Sequence, residues 1–533
     1  MNQTILTIVG TAALLSAAVA LVMQYSRCLM MLQQNSYRPE RYRRYLKQSG
    51  ESTSMMSLLS MVLFLGSAAL VEREVFAAVA YAQIIFFVGV IVTLPRRTYK
   101  KPLVWTARVK RIFAVMATLS VFSVAGGMVA TSCGWAHACV YGAALLTLFF
   151  CLAPQVAQVA VWVLRPVETS INNSYIADAS RILASMPSLK VVGITGSYGK
   201  TSTKHYLHRI LSEAYSVCMT PGSFNTTMGV VRTVREYLKP FDEVFICEMG
   251  AKQPGDIREI CDLVHPTVGI VTAVGPQHLE SFKTIENVQR TKFELVDALP
   301  ADGLAVVNDD FEYVASRRVD NVECVRYGVT HTQAAAVTAT DITYSADGTT
   351  FTLHHPGGSL ELHTRLVGEC NISNLLAAVA VALRLGVPEA KIQYAVEKIE
   401  QVEHRLNIKR TPGGLTIIDD AFNSNPTGSA MALDVLASMT SGRRIVITPG
   451  MIELGDRQEE LNASFGRKIN TSADVAIIVG EYNREAILSG LGANPTPAVH
   501  TVDSFAQAQA LLTRMAQAGD TVLYENDLPD TFK

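Results

Sequence analysis

The chain has 533 residues, 49% of them hydrophobic and 17% charged, a charged share well below the roughly 25% usual in soluble domains. The net charge of -1 hides a division: residues 1–168 hold 15 Lys/Arg and 5 Glu, a balance of +10, and the remaining 365 hold 31 Lys/Arg and 42 Asp/Glu, a balance of -11. These values exclude a disordered chain and a basic nucleic-acid binder, so no nucleic-acid partner is expected. They indicate a membrane-embedded first third and a soluble, mildly acidic remainder long enough for two domains. The nine Cys contain no C-x-x-C pair, and Cys151, Cys247 and Cys261 sit in apolar runs. Buried thiols in a reducing compartment are expected, with neither a disulfide framework nor a zinc site.

Five apolar stretches are expected to span a membrane as helices: about Ile5–Met23, Met55–Val71, Val75–Leu94, Ile112–Ala130 and Ala138–Leu164. Each is near or above the ~18–20 residues that cross ~30 Å of hydrocarbon, the second being the shortest. Ala18-Val19-Ala20 resembles a signal-peptide cleavage site, but no Lys or Arg precedes the apolar run, so it reads as a span. Arg27, Arg38, Arg41, Arg43, Arg44 and Lys47 follow the first span, and Arg96, Arg97, Lys100, Lys101, Arg108, Lys110 and Arg111 follow the third. The other two connections are nearly free of positive charge. The basic loops therefore face the cytoplasm, and five spans put the soluble remainder there as well. A multi-pass protein of the bacterial inner (cytoplasmic) membrane is expected. With almost no ionisable residue in the spans there is no ion pathway. The bundle reads as an anchor with membrane lipid as its partner; a lipid-facing substrate groove is the other reading.

After a polar linker, about Glu168–Ser188, strands alternate with helices. Lys190–Ile194 is a β-branched strand, Thr195-Gly196-Ser197-Tyr198-Gly199-Lys200-Thr201 follows, and a helix runs from near Thr201 through Ser202 to about Ala214. This is the setting of a phosphate-binding loop: glycines let backbone N–H groups face phosphates, and the helix N-terminus adds its positive end. Lys200 is then placed for the β/γ-phosphates and Thr201 for Mg²⁺. Ile194 stands where the strict G-x-x-x-x-G-K-[ST] pattern has its first Gly. Further strands read as Ser216–Thr220, Glu243–Cys247, Val268–Ala273 and Leu304–Val307, a pattern for a parallel sheet covered on both faces. Functional groups in such folds lie beyond the carboxyl ends of strands. Glu248 and His278 occupy such positions, the grouping a catalytic Mg²⁺ site would use.

These residues resemble the Mur ligase family of ATP-dependent amide ligases over about residues 189–530. Gly193–Thr201 is similar to the family's phosphate loop, so that Gly196, Ser197, Tyr198, Gly199, Lys200, Thr201 and Ser202 are expected to bind ATP. Gly222–Gly229, with Asn225 and Thr226, resembles its Asn-rich substrate loop. Glu248, followed by Gly250-Ala251 and then Gly255-Asp256, matches a magnesium-binding Glu, and His278 in His278-Leu279-Glu280 a magnesium-binding His. Lys292 falls where the family carries a carbamylated Lys that ligates a second Mg²⁺. Gly368–Asn374 resembles the adenine-side motif, with Asn371 and Asn374 in that role. Arg405 and the run Asp419-Asp420-Ala421-Phe422-Asn423-Ser424-Asn425-Pro426 resemble the hinge between central and C-terminal domains. There the Arg meets nucleotide phosphates, Asp420 holds the ribose, and Asn423 and Asn425 are expected at the substrate.

The form of that run is closest to the branch that adds D-alanyl-D-alanine to a UDP-linked muramoyl tripeptide. Three domains are expected: a transmembrane helical bundle at 1–168 from the apolar spans and, as the resemblance implies, a P-loop parallel-sheet ATP-binding domain at 169–405 and a smaller Rossmann-like α/β domain at 406–533. The resemblance also implies an acyl-phosphate route with Lys200, Lys292 and His278 catalytic, ATP and Mg²⁺ as cofactors, and a carboxylate acceptor and an amino acid or dipeptide of the cell envelope as partners. A lipid-linked or poly-γ-glutamate-like acceptor is the nearest alternative. A non-catalytic nucleotide-binding scaffold is disfavoured by the intact Lys200, Glu248, His278 and Lys292, and a transporter by the apolar spans. Two features depart from the branch. Apolar spans replace its soluble UDP-sugar domain, and Tyr524-Glu525-Asn526-Asp527-Leu528-Pro529-Asp530 replaces a basic K-G-S-R segment, which disfavours the same anionic partner.

Overall fold

A computed structural model describes residues 3–50, 55–70, 75–94, 101–130, 134–345, 348–422 and 424–528. These divide into two units, up to Ile171 and Asn172–Leu528. The first holds α1 (Gln3–Gln34), α2 (Pro39–Gln48), α3 (Met55–Leu70), α4 (Phe76–Thr93), α5 (Ala107–Ala130), α6 (Trp135–Cys151) and the start of α7 (Ala153–Ala184). Ala13, Ala17 and Ala20 of α1 are fully buried, and a Cβ on Gly10 would lie 2.8 Å from the Ala136 carbonyl. Small residues thus let α1 approach α6 closely, the mode by which helices pack where the surroundings are apolar. Outward, large apolar side chains stand exposed, among them Leu15, Val62, Ile85 and Phe122. Some buried polar groups are paired, with Tyr25 Oη 2.6 Å from Ser120 Oγ and Glu168 accepting from Arg111 at 2.7 Å, while Gln83 Oε1 is buried without a hydrogen-bond partner.

Two expectations change here. The stretch 138–164 is not one long span. Trp135–Cys151 and Ala153–Ala184 are bent by 76° at Leu152. Pro154 explains the break, since it lacks an N–H to bond the preceding turn and its ring crowds that turn's carbonyl. By length and composition two helices, Gln3–Gln34 and Ala107–Val129, are fit to cross a membrane, or three with the bent pair, while Met55–Ala69 and Ala77–Thr93 are shorter. The segment 168–188 is mostly helix rather than linker, because α7 continues to Ala184. Ile176, Ala179, Leu183 and Met186 recur at helical spacing and pack into the core of the second unit.

The second unit opens with β1 (Lys190–Thr195), α8 (Lys200–Leu211), β2 (Val217–Met219), α9 (Thr227–Glu236), β3 (Val244–Glu248), α10 (Asp256–Val264) and β4 (Val268–Val271). It continues with α11 (Leu279–Phe282), α12 (Ile285–Asp297), β5 (Leu304–Asn308), α13 (Glu312–Ala315), β6 (Glu323–Gly328), β7 (Val337–Ser345), β8 (Gly348–His355), β9 (Gly358–Thr364), α14 (Glu369–Arg384) and α15 (Glu389–Glu397). The sheet order is β2-β3-β1-β4-β5-β6-β7-β8-β9, parallel from β2 to β7 and antiparallel through β8 and β9. Its strands β1, β3, β4 and β5 are buried on both faces, one under α8 and α14 and the other under α10 and α12.

A second sheet follows from β10 (Asn407–Arg410), β11 (Thr416–Asp420), α16 (Pro426–Ala437), β12 (Arg444–Thr448), α17 (Gln458–Ser472), β13 (Val475–Val479), α18 (Arg484–Leu491), β14 (Ala498–Val502), α19 (Phe505–Met515) and β15 (Thr521–Glu525). Its order is β10-β11-β15-β12-β13-β14, with only β10 antiparallel. Helices α16, α17 and α18 cover one face and α19 the other. The eight cysteines among the described residues are free.

Candidate active site

The site grows from the end of β1. Gly199 has φ +78°, and a Cβ there would collide with Asn374 Oδ1, so only glycine fits where the loop turns into α8. Lys200, the first residue of α8, folds back over the loop and donates to the carbonyls of Gly196 at 2.6 Å and Ser197 at 3.3 Å. Burial lowers its pKa to about 8; Glu248 opposes this shift and the Arg405 guanidinium adds to it. Ser197 Oγ donates to the Gly275 carbonyl at 3.2 Å, and Ser202 is buried on α8.

The next residue of α8, Thr201, donates through Oγ1 to Glu248 at 3.1 and 3.2 Å. Glu248, at the end of β3, is 1% exposed. It also accepts from Asn225 Nδ2 at 3.0 Å and pairs with Lys204 Nζ at 3.0 Å. Burial pushes its carboxyl up, but Lys204, Lys200 and the Asn225 amide outweigh that and hold it below the ordinary value. Lys204 is itself fully buried and donates to the Gly222 carbonyl at 2.6 Å. It thereby ties α8, the end of β3 and the Asn225 loop together. Sequence reasoning missed Lys204, although it lies four residues after Lys200 on the same helix face.

Other expected residues lie around this centre. Arg405 is within electrostatic reach of both Asp420 and Glu248 and stacks its guanidinium on the Phe422 ring at 4.5 Å. It is flanked by His404 and Leu406 with φ +57° and +48°, conformations that cost non-glycine residues energy. Lys292 on α12 is 2% exposed and makes no hydrogen bond or ion pair among the described residues. Burial, with Lys200 adding to it, holds its amine well below the ordinary lysine value. His278, at φ +52°, hydrogen-bonds through Nδ1 to Glu453 from the loop after β12. Burial lowers its pKa and Glu453 opposes the shift. Thr427 donates to Tyr198 Oη at 3.3 Å, a second link between the two sheets.

Several expected ligands are committed to the protein itself. Asn371 donates to the Val367 carbonyl and accepts from Tyr206 Oη, both at 2.8 Å, while Asn374 Oδ1 accepts from Thr203 Oγ1 at 3.3 Å. Thr226 and Asn425 cap α9 and α16, accepting from Gly229 N at 3.3 Å and Gly428 N at 2.7 Å. Asn423 lies outside the described residues.

The donor set can be tested against Mg²⁺. No group of three or more His, Cys, Asp or Glu is assembled among the described residues. Mg²⁺, however, is bound in phosphate sites by one or two protein oxygens with water and substrate phosphates completing its shell. The adjacent Thr201 hydroxyl and Glu248 carboxylate fit that requirement, and the phosphate loop lies beside them.

Comparison with known proteins decides the assignment. The Mur ligase middle domain matches residues 194–382, and the Mur ligase, glutamate ligase domain matches residues 404–524. The chain belongs to the Mur ligase family. It is accordingly an ATP- and Mg²⁺-dependent amide ligase. UDP-N-acetylmuramoyl-tripeptide–D-alanyl-D-alanine ligase of Escherichia coli is 30% identical to this Mur ligase over 329 residues, 61% of this chain and 70% of that one. The enzyme of that name from Mycobacterium bovis is 31% identical over 362 residues, 63% and 70% of the two chains. MurF from Acinetobacter baumannii superposes with a TM-score of 0.60 at 28% identity, covering 66% of this chain and 76% of that one. MurF ligase from Thermotoga maritima in complex with ADP gives 0.61 at 25% identity, covering 67% and 80%.

Proposed function

We propose that this Mur ligase is a membrane-anchored enzyme of cell-envelope assembly that joins an amino acid or dipeptide, in the manner of D-alanyl-D-alanine addition, to a carboxylate acceptor. The observation that carries the reading is the meeting of Lys200, Thr201, Glu248 and Arg405 at the ends of β1 and β3. The proposed chain divisions are an anchoring region at 1–168, an ATP-binding domain at 169–405 and a C-terminal domain at 406–533.

Amide formation at neutral pH needs a better leaving group than hydroxide. An acceptor carboxylate oxygen attacks the γ-phosphorus of ATP, ADP leaves, and an acyl phosphate results. The free amine nitrogen attacks the acyl carbon, phosphate leaves and the nitrogen loses its extra proton. Both steps build negative charge on transferring oxygens, so stabilisation by fixed cations supplies most of the catalysis. Lys200 swings from the Gly196 and Ser197 carbonyls to the β/γ-phosphates, and Arg405 approaches from the hinge. Thr201 and Glu248 hold Mg²⁺, with His278 and a carbamylated Lys292 assigned to a second site. Bound there, the metal neutralises phosphate charge. Asp420 takes the ribose, Asn371 and Asn374 shape the adenine side, and Asn225 presents the acceptor. Closure of the C-terminal domain, supported by His278–Glu453 and Tyr198–Thr427, excludes water that would hydrolyse the intermediate.

The five apolar stretches, of which two are helices long enough to cross alone and a third is a bent pair counted as one span, are assigned to the membrane with the ligase unit in the cytoplasm. Their exposed large apolar side chains support this. Those helices also favour a second reading, a lipid-linked acceptor. The test is ADP release by the detergent-solubilised chain with UDP-muramoyl tripeptide, its lipid-linked counterpart or no acceptor, each with and without D-alanyl-D-alanine. Release that requires the UDP-linked acceptor and the dipeptide supports the first reading, and release only with the lipid-linked acceptor the second. Absence of release in every arm refutes both acceptors.

A further inference from the structure

In the first unit the cations that follow α1 are gathered on one folded element. Residues 27–50 carry six Lys/Arg and a single acid, Glu40. Within them α2 is sorted by face: Tyr42, Tyr45 and Leu46 enter the core of the bundle, while Arg43, Arg44 and Lys47 stand exposed with Glu40. Membrane topology needs positive charge near the ends of spans, wherever in the loop it falls. It does not need a helix that turns its apolar side inward and shows its cations on the other.

Beside α2 lies the start of α7. Ala153, Ala157 and Ala160 are fully buried in the core of the bundle, whereas Val159, Trp162 and Val163 are exposed, Trp162 by 73%. Arg43 Nε donates to Gln158 Oε1 at 3.0 Å, and Trp162 lies four residues beyond Gln158, on the same face of α7. The cationic side of α2 thus adjoins the apolar side of α7. The bend at Leu152 sets how the pair lies. Helix α6, with 17 residues, is about 26 Å long and nearly matches ~30 Å of hydrocarbon by itself. With α6 along the membrane normal, α7 leaves it at 76° and so runs about 14° from the membrane plane. In the five-span order α2 and the start of α7 both fall on the cytoplasmic side, and the Arg43–Gln158 bond agrees with that order.

We propose that α2 and the start of α7 form one docking surface for anionic phospholipid of the cytoplasmic leaflet. Arg43, Arg44 and Lys47 take the headgroup phosphates. Trp162, with Val159 and Val163, sinks to the boundary between headgroups and acyl chains, the level that an in-plane helix and a Trp side chain both favour. Charge selects the occupant: Arg43, Arg44 and Lys47 against Glu40 leave the face positive, which complements an anionic headgroup and gains little from a zwitterionic one. The inference rests on the membrane reading above and deepens it. Helix α6 completes the fifth crossing, and α7 begins along the surface.

The test uses the full-length protein. Native mass spectrometry in neutral detergent with equimolar phosphatidylglycerol and phosphatidylcholine reads the lipid preference of wild type and of a variant combining Arg43→Gln, Arg44→Gln and Lys47→Gln. Wild type is expected to retain phosphatidylglycerol about tenfold or more over phosphatidylcholine, and the triple variant to bring the ratio close to one. In nanodiscs, lipid brominated near the headgroup should quench the Trp162 fluorescence, taken as wild type minus Trp162→Phe, more than lipid brominated near the chain ends. Equal retention by wild type, a preference that survives the triple variant, or stronger quenching from the chain ends each overturn the inference. So does loss of the preference in the presence of glycerol phosphate, which would mark a site for free phosphate. If the triple variant does not fold, the wild-type preference and the depth of Trp162 decide together. A chain that needs detergent yet shows no preference overturns this inference alone, whereas a chain that stays monodisperse in buffer without detergent refutes the membrane reading and this inference with it.

Discussion

Lys204 shows how much a single buried charge can organise. It neutralises Glu248, which otherwise would be a carboxylate closed off from water, and it fixes the backbone at Gly222. Lys204→Met should destabilise the protein by about 3 kcal/mol, the usual consequence of stripping one partner from a buried ion pair. Glu248 has a depressed pKa in the folded chain, so its contribution is present above its unfolded value and is lost as pH falls through the folded one. Without Lys204 burial dominates, and the loss moves to higher pH; urea melts across the acid range test both points. Lys200 carries the opposite sign. Its value of about 8 lies below that of a free lysine, and the protonated form is the one that meets phosphate. The kcat/KM for ATP, which reports the free enzyme, should fall as pH rises above about 8, and Lys200→Arg should remove that limb whatever its effect on rate.

Among the elements, the helix caps separate two meanings of one residue type. Thr226 and Asn425 were expected at the substrate, yet each side chain holds the first turn of a helix. If capping is their whole role, Thr226→Ala and Asn425→Ala should each cost about 1 kcal/mol in unfolding experiments and leave KM for acceptor and amine unchanged. A selective rise in KM would restore the substrate role. The same contrast explains what could be read from the chain. The strand–loop–helix around Gly196–Thr201 was legible because its glycines, β-branched run and Lys-Thr pair are local signals. So were Glu248 and His278, which end short apolar strands or follow them closely. The β7–β9 extension was not read, because its alternation of Thr, His and apolar residues is weak and its pairing is non-local. The helix 172–184 was mistaken for linker because polar residues mask its Ile176, Ala179, Leu183 stripe. Lys204 and Glu453 acquire meaning only from partners 44 and 175 residues away.

For the whole molecule, the first unit lies outside the stretches matched by the Mur ligase domains. Its outward Leu15, Val62, Ile85 and Phe122 are of the kind that water-exposed surfaces avoid in groups. The full chain should therefore stay with membranes through alkaline carbonate extraction, and its release into the supernatant would refute the anchor. Within the ligase unit, the bonds His278–Glu453 and Tyr198–Thr427 join the two sheets. Where a nucleotide must part such a latch to enter, its observed affinity is the intrinsic one scaled by the fraction of molecules standing ajar. Loosening the latch by Glu453→Ala should speed ATP association in stopped-flow mixing while slowing the chemistry that needs the closed form. The resting enzyme would then be seen as one that trades haste in capture for dryness in reaction.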